Sequence, residues 1–354
     1  MTDTGTIRTL IRVDGGGQLG LGNVYRGLSV AAALVAEGMT TPDALRFLVG
    51  HDRAALVPVE AQGYHAEFID MEGDLTAEVA LHRSAVAGYR PRLVVTDVPA
   101  RPDRPAEFFH SLRVDGVPTL LVHLSDENSG RSAADVVVEG DVHHMQDGQS
   151  TDSGTGTYPR TLRGPAYWLL NPAFADADTP AEASDDSLRE GVFICLGGTD
   201  ASGLSRRIPA LAAYLPQGLQ VLLVTGQATD QPDHLPPGWT HRAGLTPPEM
   251  AAAMRSHAVG ITAGGVMMYE AASQGLPCVL ALQRGAGQEP GSMAFNTAGV
   301  HLYAGYADRI TLQHLAMGVN QLLADQSRRA DRARATVDGR GVQRLLAVIR
   351  EELP

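Results

Sequence analysis

Short apolar runs and segments with helical periodicity alternate along most of this chain. The order repeats from position 7 to position 138 and again from position 192 to position 282. Because hydrophobicity within the runs is continuous, both faces of each predicted strand must be covered, as in a parallel sheet between helices. The pattern predicts an α/β protein with two doubly wound Rossmann-type halves that face a central cleft.

The predicted boundaries follow from these runs and from the segments between them. In the first half the strands are 7–13, 45–49, 66–69, 93–95, 119–124 and 135–138, and the helices are 24–37, 53–62, 75–89 and 105–112. In the second half the strands are 192–196, 219–224, 259–261 and 277–282, and the helices are 204–214, 248–255, 266–273, 311–323, 328–335 and 342–352.

An acidic stretch rich in Ala and Pro, 171–186, is expected to connect the halves. The predicted domains are therefore 1–175 and 176–354. Apolar positions in the last helix, Leu345, Leu346 and Ile349, allow it to return to the first domain.

Glycine-rich loops join the first strand of each half to the helix that follows it. One loop runs from Gly15 to Asn23 and the other from Gly197 to Asp200. Glycine at such a junction lets backbone N–H groups and the helix N-terminus approach an anion, most often a phosphate. Glycine also serves tight turns, so neither loop identifies a phosphate site by itself.

The basic residues narrow the possible chemistry, because all 28 of them are arginine and the chain has no lysine. A Schiff base with pyridoxal phosphate and a P-loop lysine are therefore excluded. The 40 acidic residues bring the net charge to −12, which argues against a nucleic-acid or anionic-membrane surface.

Cysteine and histidine usage indicates neither disulfides nor a metal centre. Cys195 and Cys278 fall in apolar runs, where a free thiol behaves as a small hydrophobe, and His143 and His144 stand beside a polar loop where solvation is expected. The chain opens without a signal-peptide pattern, and its apolar runs fall short of the roughly 20 residues that span a bilayer. We expect a soluble, cytoplasmic protein without a cofactor.

Acidic residues follow several strands of the first half, namely Asp14, Asp97, Asp126 and Glu127. In open α/β sheets the carboxyl ends of the strands line the ligand crevice, so these acids are the better site candidates of that half. Acids at strand ends also cap helices, and that alternative applies to each of them.

An ordered series of motifs resembles a known family. It opens with Ile11-Arg12-Val13-Asp14 and Gly20-Leu21-Gly22-Asn23-Val24-Tyr25-Arg26, and it extends from residue 6 to about residue 303. The series resembles the UDP-sugar hydrolase of the pseudaminic acid pathway and its spore-coat-polysaccharide relatives. Its further members are Asp97, Asp126 with Arg131 and Asp135, 164–170, 196–200, Gly264 and Gly265 with Glu270, 275–277 and Gln288.

The resemblance implies a small version of the two-domain GT-B glycosyltransferase fold, similar to the lipid II-forming N-acetylglucosaminyltransferase. It further implies that the second half binds a UDP-type sugar donor, with the Glu270 carboxylate accepting the ribose hydroxyls. Gly264 and Gly265 with the following helix would face the diphosphate. The other residues implied at the nucleotide are Gly197, Gly198 and Thr199, and those implied at the substrate are Arg12, Gly20, Gly22, Arg26 and Gln288.

The chain departs from the family pattern at its reactive positions. Asn23 stands where the family has an active-site His, Pro99 replaces a Tyr, and Gly287 replaces an Asn. A carboxamide cannot take a proton near neutral pH as an imidazole can, and losing a general base costs about 10²–10⁴ in rate. Hydrolysis by the family's arrangement is therefore expected to be severely weakened.

We take Asp14, Asn23 and Asp97 as the catalytic candidates, with Asp14 as the replacement base. The alternative for Asp14 is a structural turn or an ion pair with Arg12 or Arg26. The favoured hypothesis is an inverting, metal-independent glycosyltransferase that moves a sugar from its nucleotide donor to a small-molecule or glycan acceptor. A UDP-sugar hydrolase with altered catalytic residues and a non-catalytic nucleotide-sugar-binding protein remain open as alternatives.

Overall fold

A computed structural model describes residues 6–70, 75–99, 106–124, 130–145, 150–175, 189–198, 200, 202–226, 232, 234–284 and 287–353. The chain divides into an N-terminal unit, Met1–Pro172 with Arg340–Pro354, and a C-terminal unit, Ala173–Gly339. The first boundary thus falls slightly before the predicted one, and the last segment belongs to the N-terminal unit. Local composition marks a linker, but it does not reveal the tertiary contacts of a final helix.

The N-terminal unit is built on a largely parallel sheet. Its strands are β1 (Thr9–Gly15), β2 (Leu45–His51), β3 (His65–Ile69), β4 (Leu93–Asp97), β5 (Leu120–His123), β6 (Val136–Glu139), β7 (Thr151–Asp152) and β8 (Arg160–Arg163). Within the described residues their order is β3-β2-β1-β4-β5-β6-β8-β7, and β7 pairs antiparallel with β8. The helices between them are α1 (Gly22–Ala36), α2 (Leu56–Glu60), α3 (Leu75–Tyr89), α4 (Ala106–His110) and α5 (Gly130–Ala133).

Both faces of this sheet are covered, as the continuous apolar runs predict. Ile11 and Val13 of β1 pack in one core with Leu28 of α1, whereas Leu10 packs in a second core with Phe108 of α4. Alternate side chains of one strand therefore enter different cores, which requires apolar residues at successive positions.

The C-terminal unit repeats the design with a parallel sheet. Its strands are β9 (Val192–Cys195), β10 (Val221–Thr225), β11 (Trp239–Ala243), β12 (Val259–Thr262), β13 (Cys278–Leu282) and β14 (Leu302–Tyr306). Their order in the described part of the chain is β11-β10-β9-β12-β13-β14. The helices are α6 (Leu204–Arg207), α7 (Pro247–Ser256), α8 (Val266–Ser273), α9 (Glu289–Thr297), α10 (Leu312–Leu323) and α11 (Gln326–Thr336).

The final helix, α12 (Gly341–Glu352), packs in the N-terminal unit. Leu345, Leu346 and Ile349 are buried in the same core as Ile11. Gly341 at its start lies so close to the backbone that an added Cβ would come within 2.2 Å of the Trp168 carbonyl oxygen. Glycine therefore lets this helix seat against the segment that carries Trp168.

The α/β class and the two parallel-sheet units are confirmed, whereas several element boundaries differ. Patterning predicts helices at 53–62 and 204–214. The first begins as a 3₁₀ helix, Arg53–Ala55, and the second continues after α6 as a 3₁₀ helix, Ile208–Tyr214. The strands that patterning missed, β7, β8, β11 and β14, lie at the ends of the two sheets. Edge strands are partly solvated, so they lack the continuous apolar run of a central strand.

None of the described helices combines the length and apolar character needed to span a bilayer.

Candidate functional site

Arg26 organises the carboxyl edge of the sheet in the N-terminal unit. It extends from α1, and its Nε and Nη2 atoms each donate a 2.8 Å hydrogen bond to the Asp97 carboxylate at the end of β4. Nη2 also donates to Asn23 Oδ1 at 2.9 Å, and the guanidinium carbon lies 5.3 Å from the centre of the Trp168 ring. A bidentate carboxylate and a ring face together fix the direction of this cation.

A small pocket opens beside Arg26, with a volume of about 140 Å³. Its walls include Glu139 and Asp141 at the end of β6, together with Tyr167 and Trp168. Carboxylates, a guanidinium and aromatic rings are the groups with which proteins commonly bind polyhydroxylated rings and other polar ligands.

Glu139 lies at the base of this region with only 2% of its surface exposed. Arg163 Nε donates to its Oε2 atom at 2.6 Å, and Arg131 contacts its other oxygen. Two guanidinium groups thus pair with one buried carboxylate, which connects α5, β6 and β8.

The structure pairs Asp14 with Arg12, which is one of the alternatives that the sequence left open for Asp14. Arg12 Nη1 donates to Asp14 Oδ1 at 2.6 Å, and Nη2 donates to Glu78 Oε1 at 2.8 Å. Arg12 is completely buried and Asp14 is 2% exposed. Arg12 therefore forms internal ion pairs, and Asp14 would have to leave a buried ion pair to act as a base.

Asp97 is similarly constrained. It is 1% exposed, and both of its carboxylate oxygens accept hydrogen bonds from Arg26. This geometry suits a residue that orients Arg26 better than one that exchanges protons with a substrate.

The first glycine loop forms a compact turn before α1. Gly20 has a φ of +70°, and its carbonyl accepts a 2.7 Å hydrogen bond from the Gly16 amide. Gly22 is the first residue of α1, and the preceding Leu21 supplies no side-chain cap. The amide groups of the first helical turn are therefore not occupied by a capping side chain.

In the C-terminal unit, α8 also starts without a side-chain cap. Gly265 precedes it with a φ of +74°, which an L side chain rarely adopts. By contrast, α7 begins with a capping box formed by Thr246 and Glu249, and Asp200 accepts hydrogen bonds from the Leu204 and Ser205 amides of α6. Within the described residues, the N-terminus of α8 is the better placed of the three to receive an anion.

Gln288 packs directly on this glycine pair. A Cβ added to Gly264 would come within 2.7 Å of Gln288 Oε1, and one added to Gly265 would come within 2.9 Å of Gln288 Nε2. Gln288 Oε1 is buried and has no hydrogen-bond partner among the described residues, and the same is true of Thr262 Oγ1 at the end of β12. Buried polar atoms rarely remain unpaired in the functional state of a protein.

Glu270 lies on the second turn of α8 and is half-buried. In the described part of the chain its carboxylate has neither a hydrogen-bond nor an ion-pair partner, and desolvation raises its pKa to about 7. A carboxylate that is poorly hydrated and unpaired gains free energy when a ligand supplies hydrogen-bond donors.

His301 connects α8 to β13 through two hydrogen bonds. Its Nδ1 accepts a 3.0 Å hydrogen bond from the Cys278 amide, and its Nε2 donates at 2.8 Å to the Met268 carbonyl. Complete burial lowers the pKa of His301 to about 4, so the ring is neutral at physiological pH and keeps this tautomer.

The backbone of the second glycine loop lies close to the residue that follows β10. Gly197 has a φ of +91°, and a Cβ added to Gly226 would come within 1.9 Å of the Gly198 carbonyl oxygen. The loop therefore packs tightly against the end of β10. Thr199, Asp126 and Glu127 lie outside the described residues.

His143, expected from the sequence to be solvated together with His144, has Asp141 as a partner in the structure. Its Nδ1 lies 2.6 Å from Asp141 Oδ1, in a 3₁₀ helix, Val142–His144, that follows β6. The signal available in the sequence was Asp-x-His directly after a strand. Among the residues that the structure describes, no group of three or more His, Cys, Asp or Glu side chains is arranged to hold a metal ion.

The chain is similar over nearly its whole length to proteins of carbohydrate metabolism. Spore coat polysaccharide biosynthesis protein SpsG of Bacillus subtilis strain 168 is 23% identical over 359 residues, covering 96% of this chain and 97% of that protein. No protein-family model matches the chain.

Solved structures share the architecture at low sequence identity. MurG of Acinetobacter baumannii aligns with a TM-score of 0.67 and 16% identity, covering 97% of this chain and 99% of that one. The calicheamicin glycosyltransferase CalG4 aligns with a TM-score of 0.58 and 15% identity, covering 98% and 100%. A UDP-GlcNAc 2-epimerase from Neisseria meningitidis, bound to UDP-GlcNAc, aligns with a TM-score of 0.57 and 10% identity, covering 97% of this chain and 100% of that one. The chain therefore has the two-unit GT-B fold of these enzymes.

Proposed function

We propose that this protein is a nucleotide-sugar-dependent glycosyltransferase. The C-terminal unit would bind a UDP-type sugar donor, and the N-terminal unit would bind a small-molecule or glycan acceptor. The reaction would invert the anomeric centre and would not require a metal ion.

The observation that carries this proposal is the unpaired carboxylate of Glu270. It is half-buried, it has no hydrogen-bond or ion-pair partner among the described residues, and burial raises its pKa to about 7. A ribose presents two adjacent hydroxyl donors, which match the two oxygens of one carboxylate. Binding would offset the desolvation of Glu270 by charge-assisted hydrogen bonds.

The start of α8 supports the same assignment for the diphosphate. Gly264 and Gly265 contribute no side chain of their own at this end of the helix, and no side chain caps it. Backbone amides and the helix dipole would stabilise the negative charge that develops on the leaving diphosphate. Gln288, with its buried amide oxygen, would accept a hydrogen bond from the sugar or from the nucleotide.

Arg26, Asn23 and Asp97 support an acceptor site in the N-terminal unit. Asp97 would hold Arg26 in place, and Arg26 with Asn23 would orient the acceptor beside the Trp168 ring. Asn23 cannot exchange a proton near neutral pH, which disfavours hydrolysis with this residue as the base. Gly20 and Gly22 would contribute the backbone of the loop at this site.

The names of similar proteins agree with the proposal at a coarse level. SpsG is named for polysaccharide biosynthesis, and CalG4 is a glycosyltransferase. Because a UDP-GlcNAc 2-epimerase shares the fold, architecture alone does not select the reaction, and the assay must be able to detect an isomerised donor.

Nucleotide binding tests the donor half of the proposal. Isothermal calorimetry with UDP, TDP, GDP and CMP on wild-type protein is expected to detect binding, and Glu270→Gln is expected to weaken it at least tenfold at pH 8. Glu190→Gln is the matched control, because Glu190 is exposed and precedes β9 at the opposite edge of the sheet. Equal affinities for wild type and Glu270→Gln would contradict the assignment.

Product analysis tests the reaction. With the best donor and a panel of sugar acceptors, NMR is expected to detect a new glycosidic bond of inverted configuration, formed equally well with EDTA present. Free sugar without any acceptor would favour the hydrolase, an isomerised donor would favour epimerisation, and binding without turnover would favour a nucleotide-sugar-binding protein.

A further inference from the structure

We propose that Tyr303 and Tyr306 are positioning residues for the donor site, because they hold Glu289 and thereby set the place of Gln288. The inference rests on the donor site proposed above for the C-terminal unit. Both tyrosines lie on β14, Glu289 is the first residue of α9, and Gln288 directly precedes that helix.

Both oxygens of the Glu289 carboxylate accept a hydrogen bond from a tyrosine hydroxyl group. Tyr303 donates to Oε1 at 2.5 Å, and Tyr306 donates to Oε2 at 3.0 Å. The hydrogen bond from Tyr303, followed by that from Tyr306, lowers the pKa of Glu289. Burial and the neighbouring Glu289 carboxylate raise the pKa of Tyr303 to about 12. At neutral pH the protons therefore stay on the tyrosines, and both hydrogen bonds are strengthened by the charge of Glu289.

Further hydrogen bonds attach α9 to β14 and to α8. The Tyr303 amide donates to Asn296 Oδ1 at 3.1 Å. Ser292 donates its amide to the Gln288 carbonyl at 3.1 Å and its hydroxyl to the Met268 sulfur on α8 at 3.6 Å. The start of α9 is therefore connected to both neighbouring elements, and Gln288 is the residue that leads into it.

The position of Gln288 depends on the Glu289 side of the chain more than on the side of Gly287. Gly287 has a φ of +60°, and no atom of the described residues lies within 4 Å of a Cβ added to it. On its other flank, Gln288 is followed directly by the residue that the two tyrosines hold. Gln288 itself is tightly placed, since a Cβ added to Gly264 would come within 2.7 Å of its Oε1 atom. A displacement of Glu289 is therefore expected to move the Gln288 amide relative to the start of α8.

Placement of this amide matters because Gln288 Oε1 is buried and has no hydrogen-bond partner among the described residues. In the proposed function it accepts a hydrogen bond from the donor. A hydrogen bond weakens steeply when its distance or angle departs from the preferred range. Hydroxyl groups that do not touch the donor can therefore control its affinity. Tyr303 and Tyr306 act through Glu289 and Gln288, and not on the reacting atoms.

Calorimetric titration with UDP tests the inference through variants that remove only hydroxyl oxygens. The double variant Tyr303→Phe/Tyr306→Phe is expected to bind UDP about three- to tenfold more weakly than wild type. Tyr214→Phe is the matched control, because Tyr214 is 50% exposed at the end of the 3₁₀ helix Ile208–Tyr214, and it is expected to bind like wild type. Glu289→Gln keeps a side-chain oxygen that accepts one hydroxyl, so it should weaken binding less than Glu289→Ala does.

A double-mutant cycle with Gln288→Ala separates positioning from a general structural effect. Gln288→Ala alone is expected to weaken UDP binding about tenfold. In that background the two tyrosine substitutions should change the affinity by less than about twofold, because no amide remains to be positioned. A loss by the same factor in both backgrounds would mean that the tyrosines only support the fold, and it would overturn the inference. Melting temperatures verify that each variant is folded, and Tyr303→Phe alone replaces the double variant if the latter is not.

The outcomes separate this inference from the proposed function. Wild-type affinity of the double variant overturns the positioning role, as does wild-type affinity of Gln288→Ala. With a donor that the protein turns over, the double variant should raise KM and leave kcat within about twofold. A lower kcat at unchanged KM would place the tyrosines at the reacting atoms and would also overturn the role. A wild-type protein that does not bind UDP overturns the proposed function itself.

Discussion

Gln288 lies so close to Gly264 that a Cβ added to the glycine would come within 2.7 Å of Gln288 Oε1. The same Cβ would come within 2.4 Å of a terminal methyl group of Leu282 on β13. The two contacts leave no room for a side chain between β12 and α8. This close approach is what keeps Gln288 against the start of α8.

Gly264→Ala is therefore expected to displace Gln288 and to reduce UDP affinity at least tenfold, because the proposed diphosphate site would change shape. Calorimetric titration checks the affinity, and thermal unfolding reports the accompanying strain. Gly88→Ala is the matched control, since Gly88 is near the end of α3 with no atom within 4 Å of an added Cβ. That variant is expected to bind normally and to gain up to about 0.5–1 kcal/mol. Normal binding by Gly264→Ala would contradict the site.

Nucleotide binding is expected to depend on pH through Glu270. Burial raises the pKa of Glu270 to about 7, and only the ionised carboxylate accepts both ribose hydroxyls. Affinity should fall about tenfold per pH unit below pH 7 and level off above it. Titrations between pH 5.5 and pH 8.5 measure this slope, which Glu270→Gln should abolish. A flat profile in wild-type protein would exclude Glu270 from the binding step.

In the absence of ligand, ionisation of the Glu270 carboxyl group is expected to lower the free energy of unfolding. The pKa of Glu270 is about 7 in the folded protein against 4.5 as its ordinary value, so the unfolded state releases this proton first as pH rises. Its contribution to stability is present below pH 4.5 and is lost as pH rises to 7. Without ligand, the melting temperature of Glu270→Gln should therefore be higher than that of wild type at pH 8 and similar to it at pH 4.5. The opposite order at pH 8 would show that the carboxylate has an internal partner.

Sequence patterning found the central strands because they are buried on both faces. The runs at 192–196 and 259–261 agree closely with β9 and β12, and the helix 266–273 agrees with α8. The edge strand β11 begins with a buried Trp239 but then carries Thr240, His241 and Arg242, so no apolar run marks it. Patterning therefore predicts the centre of each sheet better than its edges.

Candidate site residues were predictable by position but not by partner. The rule that ligands bind at the carboxyl ends of strands selected Asp14 and Asp97, and both are at that edge. The sequence allowed an ion pair between Arg12 and Asp14, but nothing local indicated Glu78 as a further partner of Arg12, because Glu78 is distant along the chain. The only sequence signal for the Asp141–His143 pair was Asp-x-His after a strand, and a short polar segment in that position usually forms a solvated loop.

The buried network around Arg12 is expected to dominate the stability of the N-terminal unit. One guanidinium pairs with both Asp14 and Glu78, so Arg12→Met removes the Arg12 ion pair from two buried carboxylates. The expected cost is about 3–5 kcal/mol or more. Glu78→Gln should cost less, about 1–3 kcal/mol, because the Arg12–Asp14 pair remains. Urea unfolding monitored by circular dichroism measures both values.

The exposed pair of Arg83 and Glu107 is the control for this network. Arg83 Nη2 lies 3.4 Å from Glu107 Oε1, and the side chains of Arg83 and Glu107 are 63% and 68% exposed. Glu107→Gln should therefore change stability by less than about 1 kcal/mol. Equal costs for Glu107→Gln and Arg12→Met would contradict the structural role given to Arg12.

His301 is expected to make the C-terminal unit sensitive to acid. Burial lowers the pKa of His301 to about 4, against 6.5 as its ordinary value. Between these values the unfolded state binds a proton that the folded state excludes, so stability present above pH 6.5 is lost as pH falls to 4, by up to about 1.4 kcal/mol per pH unit. His301→Gln keeps a side-chain amide for the Met268 carbonyl and removes the titration. Its melting temperature should be below that of wild type at pH 7, because the fit is poorer, yet should decline less between pH 6.5 and pH 4.5. If both proteins lose stability in parallel over this range, the acid sensitivity arises elsewhere and the pKa of His301 does not differ between the folded and unfolded states.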